Sequence, residues 1–477
     1  MSADDAPRSP AGNGTMTAVA NEIGERADTV WTRGKDQAPM IGKMRKQALK
    51  GNGGRVAIVD GARTPFVKAG TMFSEMDVID LAAGPAAELI RRNDVDPNEV
   101  DQAIFGVVVP ALHGPNLGRE VVLRTSLPRS IAASTVNLAC ASSNRAIADG
   151  ATAILAGQAT VVLTGGAESL SNPPILFSKK ASDHFVAASK TKTLGQKAGV
   201  LSKLRPADLA PVPPAIAEYT TGETMGQSCE KMAKENAISR AAQDEIALNS
   251  HLGAARALAE GRFDNQIVPT FSMPKYANAV TADTGVRGDS TLEALAGLRP
   301  VFDRNYGTLT AGNSSPLTDG GAAVLLMSEK RAKALGYEPL GYIRSFAFAA
   351  CDPKQQLLQG PAYAAPLALD RAGVKLSDLD LVEMHEAFAA QILSNMKAFA
   401  SKKFAQEELG RSEPLGEIDL TKFNVNGGSI AIGHPFGATG ARVTMQLLNE
   451  LKRQDLGMGM LTVCAAGGNG FAMVVER

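Results

Sequence analysis

The second half of the chain repeats the order of elements found in the first half, and this internal repeat constrains the fold most strongly. In the first copy, Asn137 precedes Cys140, and an amphipathic helix and a short β-branched strand follow. In the second copy, Asn426 precedes His434, and again a helix and a strand follow. Two copies of one α/β unit predict two similar core domains packed back to back, with the ends of their strands and helices facing a common site.

Strands alternate with helices throughout the first copy. β-Branched runs at 55–59, 104–109 and 161–163 indicate strands, and apolar residues at helical spacing from Ile147 to Leu155 indicate a helix. Strands that alternate with helices are typical of a sheet that is covered on both faces. The predicted fold class is therefore α/β, with mixed, mainly parallel sheets.

The chain divides into segments along its length. Residues 1–54 are an N-terminal extension, for which we expect a mobile or surface-packed tail. Residues 55–170 together with 310–335 are predicted to form the first core domain, and residues 336–477 the second. The alternation of strands and helices loosens over 171–309, which we interpret as an inserted loop domain.

Charge and cysteine content exclude several classes of protein. Lys and Arg total 49 and Asp and Glu total 49, which argues against an electrostatic nucleic-acid binder. The 4 cysteines form no CxxC pair, so neither a disulfide scaffold nor the usual zinc pattern is expected, and we predict no metal site. The chain has no apolar run long enough to span a bilayer, and residues 1–54 resemble neither a signal nor a transit peptide. A cytoplasmic location is therefore expected.

Cys140 and His434 occupy the same place in the two copies, between a strand and the start of a helix. The N–H groups and dipole of a helix N-terminus stabilise a thiolate, which suits Cys140 as a nucleophile. The alternative is a buried, inert cysteine. Pro435 suits a first helical turn, so we expect His434 to lie just before its helix. There it can take a proton from a thiol across the domain interface, the alternative being a purely structural histidine.

Two further strand ends carry groups capable of proton transfer. Cys464 ends a strand and precedes Ala466 and a glycine-rich turn, whose backbone N–H groups can converge to form an oxyanion hole. His385 lies where a strand meets a helix, and Phe388 follows it, for which core packing is an equal explanation. Two thiols and two imidazoles at the turns of two similar halves predict one shared site for thioester chemistry with proton transfer.

Over about residues 55–477 the chain resembles the thiolase family. The resemblance is carried in combination by Asn137-x-x-Cys140-Ala-Ser, Gly433-His434-Pro435, Cys464-x-x-Gly467-Gly468-x-Gly470, Thr310-Ala311-Gly312-Asn313 and Asp319-Gly320-Gly321-Ala322. The form His385-Glu386-Ala387-Phe388, where most thiolases have Asn first, is similar to the 3-ketoacyl-CoA thiolases of the fatty-acid β-oxidation (trifunctional) complex, its β-subunit type.

The resemblance implies a role for each candidate residue. Cys140 would be the nucleophile that carries the acyl group, and His434 the base that activates it. Cys464 would be the acid and base at the acetyl-CoA carbon. His385 would position a water or an oxygen beside His434. The backbone N–H groups of Cys140 and Ala466 would form a second oxyanion hole.

The resemblance also implies the ligand. Met225 and Ser315 match positions near bound CoA in the family, and with Ala466 and Phe388 they are the candidate CoA-binding residues. Coenzyme A would act as a co-substrate with acyl-CoA substrates, and no permanently bound cofactor is expected.

The activity that the resemblance implies is CoA-dependent cleavage of 3-ketoacyl-CoA, the reaction of an acetyl-CoA C-acyltransferase. The alternatives are an acetoacetyl-CoA-forming thiolase and a non-catalytic lipid or CoA carrier on a thiolase scaffold. Relatives are usually homodimers or homotetramers. The basic insert, residues 178–206, carries seven Lys or Arg against one Asp. One interpretation is a solvated face without a binding role. The other two are binding to the hydratase/dehydrogenase subunit of a β-oxidation complex and binding to an anionic membrane surface.

Overall fold

The computed structural model describes residues 16–24, 54–212 and 217–477. Within these ranges, strands and helices alternate as the α/β prediction requires. The strands are β1 (Val56–Arg63), β2 (Val67–Lys68), β3 (Gln102–Gly106), β4 (Ala132–Val136), β5 (Val161–Glu168), β6 (Thr270–Phe271), β7 (Ala279–Val280), β8 (Thr318–Ser328), β9 (Gly341–Ala350), β10 (Leu381–Met384), β11 (Met458–Ala465) and β12 (Asn469–Glu476).

The α-helices of the described ranges are numbered in chain order. They are α1 (Thr17–Gly24), α2 (Val78–Arg92), α3 (Leu117–Arg124), α4 (Ser142–Leu155), α5 (Lys179–Ser189), α6 (Leu194–Leu201), α7 (Met225–Glu235), α8 (Arg240–Ala259), α9 (Leu292–Ala296), α10 (Glu329–Ala334), α11 (Gly360–Ala372), α12 (Ala389–Ala400), α13 (Lys402–Glu407), α14 (Ser429–Ile432) and α15 (Thr439–Arg453). Short 3-10 helices occur at Pro97–Glu99, Pro206–Leu209, Leu376–Asp378 and Leu420–Lys422.

One mixed sheet runs through both copies of the repeat, in the order β10-β11-β12-β9-β1-β8-β5-β3-β4, with β2 paired to β8. In the first half, β1, β3, β4 and β5 run in one direction and β8 in the other; in the second half, β12 is the strand that runs against β9, β10 and β11. Most strands of each half thus run in one direction, as predicted. The one reversed strand of each half lies between two strands of the opposite direction, so most hydrogen-bonded neighbours in the sheet are nevertheless antiparallel pairs.

The two halves are joined by pairing of strands in the sheet as well as by packing of helices. β1 and β9 pair antiparallel, with Val56 opposite Ile343 and Ile58 opposite Gly341. The repeat predicted two packed domains but not this shared edge. The reason is that pairing between two edge strands depends on where the halves dock, and periodicity within each half carries no information on docking.

The helices α4 and α15, which follow the two repeat turns, pack against each other between the halves. The predicted face of α4 is buried, since Ile147, Ala151 and Ile154 are all within the core. Ala441 of α15 donates its N–H to Ser143 Oγ at 2.9 Å. A Cβ atom at Gly440 would lie 2.1 Å from Asn144 Oδ1, so a larger residue there would displace the Asn144 side chain from this close approach.

The inserted segment contains more regular structure than the loosened pattern indicated. The helix predicted near 239–260 is α8, and Ser239 caps it by accepting a hydrogen bond from Ala242 N. Residues 178–206 contain two helices, α5 and α6, which pack together. Among the described residues, every helix falls short of the length or the apolarity that crossing a bilayer requires.

Of the two alternatives for the N-terminal extension, the structure shows a packed segment and not a mobile one for residues 17–24, and the other residues of 1–53 lie outside the described ranges except Met16. Helix α1 packs against α8 and α12, with Val19 and Ile23 in the main apolar core. Glu22 forms a buried ion pair with Lys397 of α12, with 2.9 Å between Oε1 and Nζ. Glu245 of α8 accepts hydrogen bonds from Ala18 N and Val19 N, at the positive end of the helix.

We predict that Glu22→Ala destabilises the protein, because it leaves the buried Lys397 ammonium without its counter-ion. Removing one partner of a buried pair costs roughly 3–5 kcal/mol. Thermal unfolding at a fixed scan rate should show a clear drop in Tm. Asn21→Ala, on the exposed side of the same helix, is the matched control and should leave Tm unchanged. Equal Tm values for both variants and the wild-type chain would show that α1 is not held in the core.

Candidate active site

The turn that carries Cys140 is held by its own side chains. Asn137 Oδ1 accepts from Ala139 N at 3.0 Å, and Ser142 Oγ accepts from Leu138 N at 2.9 Å and donates to the Ala139 carbonyl at 2.7 Å. Ala139 has a φ of 45°, in the left-handed region that a non-glycine residue rarely occupies. This strained turn presents Cys140 two residues before α4 begins, as the sequence predicted.

The second turn differs from its prediction in one detail. Helix α15 begins at Thr439, so His434 and Pro435 lie in a loop ahead of the helix and not at its first turn. Gly433 precedes them with a φ of 113°, and a Cβ atom there would lie 2.6 Å from Thr318 Cγ2. His434 N donates to the Pro316 carbonyl at 3.3 Å, so a loop of the first half fixes its backbone.

The two turns bring His434 and Cys140 into contact across the halves. His434 Nε2 lies 3.1 Å from Cys140 Sγ. On the other side of the ring, Nδ1 lies 2.7 Å from Thr439 Oγ1, and that hydroxyl donates to the Pro435 carbonyl at 3.0 Å. Because the single hydroxyl proton of Thr439 is used there, Nδ1 carries the proton and donates to Thr439. Nε2 is then the acceptor for the Cys140 S–H.

Burial keeps this pair neutral at rest. It raises the pKa of Cys140 to about 12, although the backbone N–H groups of Cys140 and Ala466 act to lower it. Burial, and then the charge of Arg442, lowers the pKa of His434 to about 3. The backbone N–H groups act in the direction expected from the sequence, but desolvation outweighs them. The thiol instead holds its proton beside a free base.

His385 completes a compact group. Its ring is fully buried and stacks at a tilt on His434, with 4.1 Å between the centroids. Ligand atoms of His385, His434 and Cys140 all lie within 4.8 Å of one another. His385 Nδ1 lies 2.8 Å from Ser429 Oγ, while Nε2 is buried with no hydrogen-bond partner in the described residues. A buried nitrogen without a partner marks a place for a ligand atom.

Cys464 is buried at the end of β11, next to this group. Its pKa is raised well above the usual thiol value by burial and then by the neighbouring Cys140, Cys229 and Cys351. In the turn that follows, the N–H of Ala466 acts to lower the pKa of the Cys140 thiol, and the N–H of Gly467 donates to a carboxylate oxygen of Glu218 at 2.8 Å. Because the N–H of Gly467 is already used by Glu218, the oxyanion hole expected after Cys464 stays a prediction that involves Ala466.

The structure brings two of the candidate CoA-binding residues, Ser315 and Phe388, next to each other. Ser315 N donates to the carbonyl of Ala387, directly before Phe388. Phe388 meets Phe302 edge to face, with ring centroids 5.8 Å apart. Met225 begins α7, which Thr224 caps, and it is half-buried against the same apolar core as Phe302 and Phe388.

Several residues of the site were missed in the sequence. Glu168, at the end of β5, accepts backbone N–H groups from Val108, Val109 and Gly437 and so joins the loops of both halves. Burial raises its pKa to about 7. An acid that ends an otherwise apolar strand was the available signal. Thr439, five residues after His434, carried the weaker signal of a hydroxyl at the start of its helix.

A half-buried thiol that is hydrogen-bonded to an imidazole, with a second, buried thiol beside it, defines a class of enzymes that transfer acyl groups through cysteine. The chain belongs to the thiolase family. The models "Thiolase, N-terminal domain" and "Thiolase, C-terminal domain" match residues 56–330 and 337–477.

Individual relatives cover almost the whole chain. A 3-ketoacyl-CoA thiolase of Pseudoalteromonas translucida is 53% identical over 424 residues, which are 89% of this chain and 97% of that protein. A 3-ketoacyl-CoA thiolase of Vibrio cholerae is 51% identical over 434 residues, 91% of this chain and 100% of that one.

Solved structures show the same fold. Human mitochondrial 3-ketoacyl-CoA thiolase in complex with CoA matches with a TM-score of 0.75 and 31% identity, over 90% of this chain and 99% of that one. An acetyl-CoA acetyltransferase of Bacillus anthracis matches with a TM-score of 0.75 and 33% identity, over 89% and 98%.

Proposed function

We propose that this thiolase cleaves 3-ketoacyl-CoA with CoA into acetyl-CoA and an acyl-CoA shortened by that unit, in fatty-acid β-oxidation. The observation that carries the proposal is the contact of 3.1 Å between His434 Nε2 and Cys140 Sγ, with Cys464 beside it. The 3-ketoacyl-CoA thiolases that are 51–53% identical over about nine-tenths of the chain support the choice of substrate.

In the first half-reaction, Cys140 Sγ attacks the 3-keto carbon while its proton passes to His434 Nε2. The oxygen that becomes negative is held by the N–H groups of Cys140 and Ala466. The carbon–carbon bond then breaks, leaving a thioester on Cys140 and the enolate of acetyl-CoA. His434, now protonated, and His385 hold the enolate oxygen, and Cys464 gives its proton to the carbon.

In the second half-reaction, CoA replaces the departed acetyl-CoA. The Cys464 thiolate takes the proton of the CoA thiol, and the CoA sulfur attacks the thioester carbonyl in the same oxyanion hole. The bond to Cys140 breaks, and the leaving sulfur recovers its proton from His434. Both cysteines and the histidine thus return to their neutral starting state, which burial favours.

We predict cleavage of a series of 3-ketoacyl-CoA substrates in a CoA-dependent assay, and an acyl group on Cys140 when CoA is left out. Peptide mass analysis locates that group. Cleavage of acetoacetyl-CoA alone would indicate an acetoacetyl-CoA-forming thiolase, and no cleavage of any substrate would indicate a carrier.

The matched variants separate the two thiols. Cys140→Ser should lose acylation altogether, while Cys464→Ser should still acylate Cys140 slowly and lose turnover by about 10²–10⁴-fold, as expected for loss of a general acid and base. Cys351→Ser is the control and should keep turnover, because this core thiol lies 3.2 Å from the Gln356 carbonyl oxygen and 3.3 Å from that of Gly468, either of which can accept its one proton. An acyl group on Cys229 or Cys351 would contradict the assignment.

We predict that His385→Ala lowers kcat by about 10²–10³-fold, the usual cost of removing one oxyanion-hole donor. His385→Asn, which restores the side chain common in the family, should keep more activity. Steady-state kinetics with acetoacetyl-CoA and CoA measure both effects, and KM for CoA should change little. Near-normal activity of the Ala variant would mean that His385 is only structural.

For the organisation of the molecule, we propose a homodimer or homotetramer in the cytoplasm. We also propose that residues 171–309 act as a loop domain which shapes the acyl-chain and CoA sites between the core domains 55–170 with 310–335 and 336–477. Glu218 supports this role, since it brings the segment to the turn after Cys464.

We further propose that the basic insert, residues 178–206, contacts an anionic membrane surface. Part of its charge is already paired: Lys179 with Asp183, and Lys180 and Arg205 with Asp208. Large apolar side chains are exposed within it and directly before it, including Leu194 at 85% and Phe177 at 55%. Exposed aromatic and aliphatic groups next to lysines suit the interface of a bilayer better than the surface of an acidic protein.

The lysines to test are those with no ion pair in the part of the chain that the structure describes, Lys190, Lys192, Lys197 and Lys203. Changing all four to Gln should weaken sedimentation with anionic vesicles, since each contributes about 1 kcal/mol near such a surface, and leave turnover of acetoacetyl-CoA intact. The control changes four exposed lysines elsewhere to Gln: Lys275, Lys330, Lys375 and Lys452.

Wild-type binding should fade with salt. If the wild-type protein binds a hydratase/dehydrogenase subunit but no vesicles, the basic insert contacts that subunit and not a membrane. Loss of CoA affinity in the insert variant, with no vesicle binding by the wild-type protein, would assign the lysines to the active site.

A further inference from the structure

The proton on His385 has to be on a particular nitrogen for this histidine to hold an oxyanion. A neutral imidazole has one N–H and one lone pair, and only the N–H can donate to a negative oxygen. Burial, followed by His434 and Arg442, lowers the pKa of His385 well below its usual value, so the ring is neutral. Its unpartnered Nε2 therefore stabilises an oxyanion only if the proton is there and not on Nδ1.

The surroundings of Ser429 decide where that proton lies. Ser429 Oγ is 2.8 Å from His385 Nδ1 and 2.6 Å from Arg442 Nη2. An arginine can only donate, so the hydroxyl oxygen accepts from Arg442. Of the two contacts, only His385 Nδ1 can then accept the hydroxyl proton. Nδ1 is therefore the lone-pair nitrogen, and the ring proton is on Nε2.

Arg442 is itself held in place as a donor. Its side chain is fully buried on α15, and Nη1 donates to Gln446 Oε1 at 3.3 Å. Gln446 in turn donates to both carboxylate oxygens of Glu383, at 3.3 and 3.4 Å. Burial lowers the pKa of Arg442 to about 10, so the guanidinium keeps its charge at neutral pH.

We propose that Ser429 and Arg442 are positioning residues that hold His385 as its Nε2–H tautomer, so that this N–H points at the enolate oxygen. Thr439 holds His434 in the opposite tautomer, with Nε2 as the acceptor for Cys140. Two stacked histidines thereby take different tasks, one as a base and one as a hydrogen-bond donor. The identity of the oxygen rests on the proposed function, whereas the tautomers do not.

The direct test is ¹⁵N solid-state NMR of the full chain labelled at histidine. With 5 histidines in the chain, the signals can be assigned by difference, using His385→Asn and His434→Asn. In the wild-type protein we expect His385 with a protonated Nε2 and His434 with a protonated Nδ1. A protonated Nδ1 on His385 would overturn the proposal, whatever the enzyme cleaves.

The variant test is Ser429→Ala, which removes the hydroxyl proton from Nδ1. We expect the His385 signal to move toward the Nδ1–H tautomer and kcat to fall by about 10–100-fold, with KM for CoA changed less than about twofold. Thr444→Val is the control, because it removes a buried hydroxyl that donates to the Gly440 carbonyl on the same helix as Arg442. It should leave both the tautomer and kcat unchanged.

A double variant separates positioning from stability. In the His385→Asn background, Ser429→Ala should cost less than about threefold in kcat, because the residue through which it acts is absent. The same loss in both backgrounds would show a merely structural role and contradict the proposal. Failure to cleave any 3-ketoacyl-CoA, with the expected tautomers observed, would overturn the proposed function and leave this inference intact.

Discussion

The contact between His434 and Cys140 depends on helices α4 and α15, one from each half, whose N-terminal ends pack against each other. Gly440 permits the approach, since any side chain there would meet Asn144, and the N–H of Ala441 is bonded to Ser143. Glu168 ties the loop after His434 to the loop after β3. The thiol and its base come from opposite ends of the sequence, so these contacts between halves hold the 3.1 Å distance.

Burial of the site determines how its groups hold their protons. It raises the pKa of both active-site thiols and lowers that of both imidazoles, so the resting site carries no charge on any of the four. Charge then develops only while a substrate is bound. The Cys140 proton has an acceptor in His434, and the Cys464 proton has one in the enolate carbon. A neutral histidine can serve as a base or a donor only if its proton is on the correct nitrogen before the substrate binds. The hydroxyls of Thr439 and Ser429, which do not react, set this tautomer for His434 and His385.

Segments outside the repeat are integrated into the molecule. Helix α1 supplies a counter-ion to Lys397 on α12, the helix that begins just after Phe388, and Glu218 of the inserted segment binds the turn after Cys464. Both contacts connect added segments to elements that carry the site. Because the added segments bury charge or bond backbone at the core, they influence stability in addition to any binding role they have.

The sequence by itself determined the α/β class, the internal repeat and the positions of Cys140, His434, His385 and Cys464 at matching turns. Periodicity, turn chemistry and family motifs are local, so they can be read along the chain. Tertiary structure alone decided the neutral state of Cys140, the burial of α1, the shared β1–β9 edge and the proton positions set by Thr439 and Ser429. These features arise from desolvation, from contacts between residues far apart in the chain, and from the hydrogen bonds on each side of a histidine ring. A local sequence pattern contains no information on any of these.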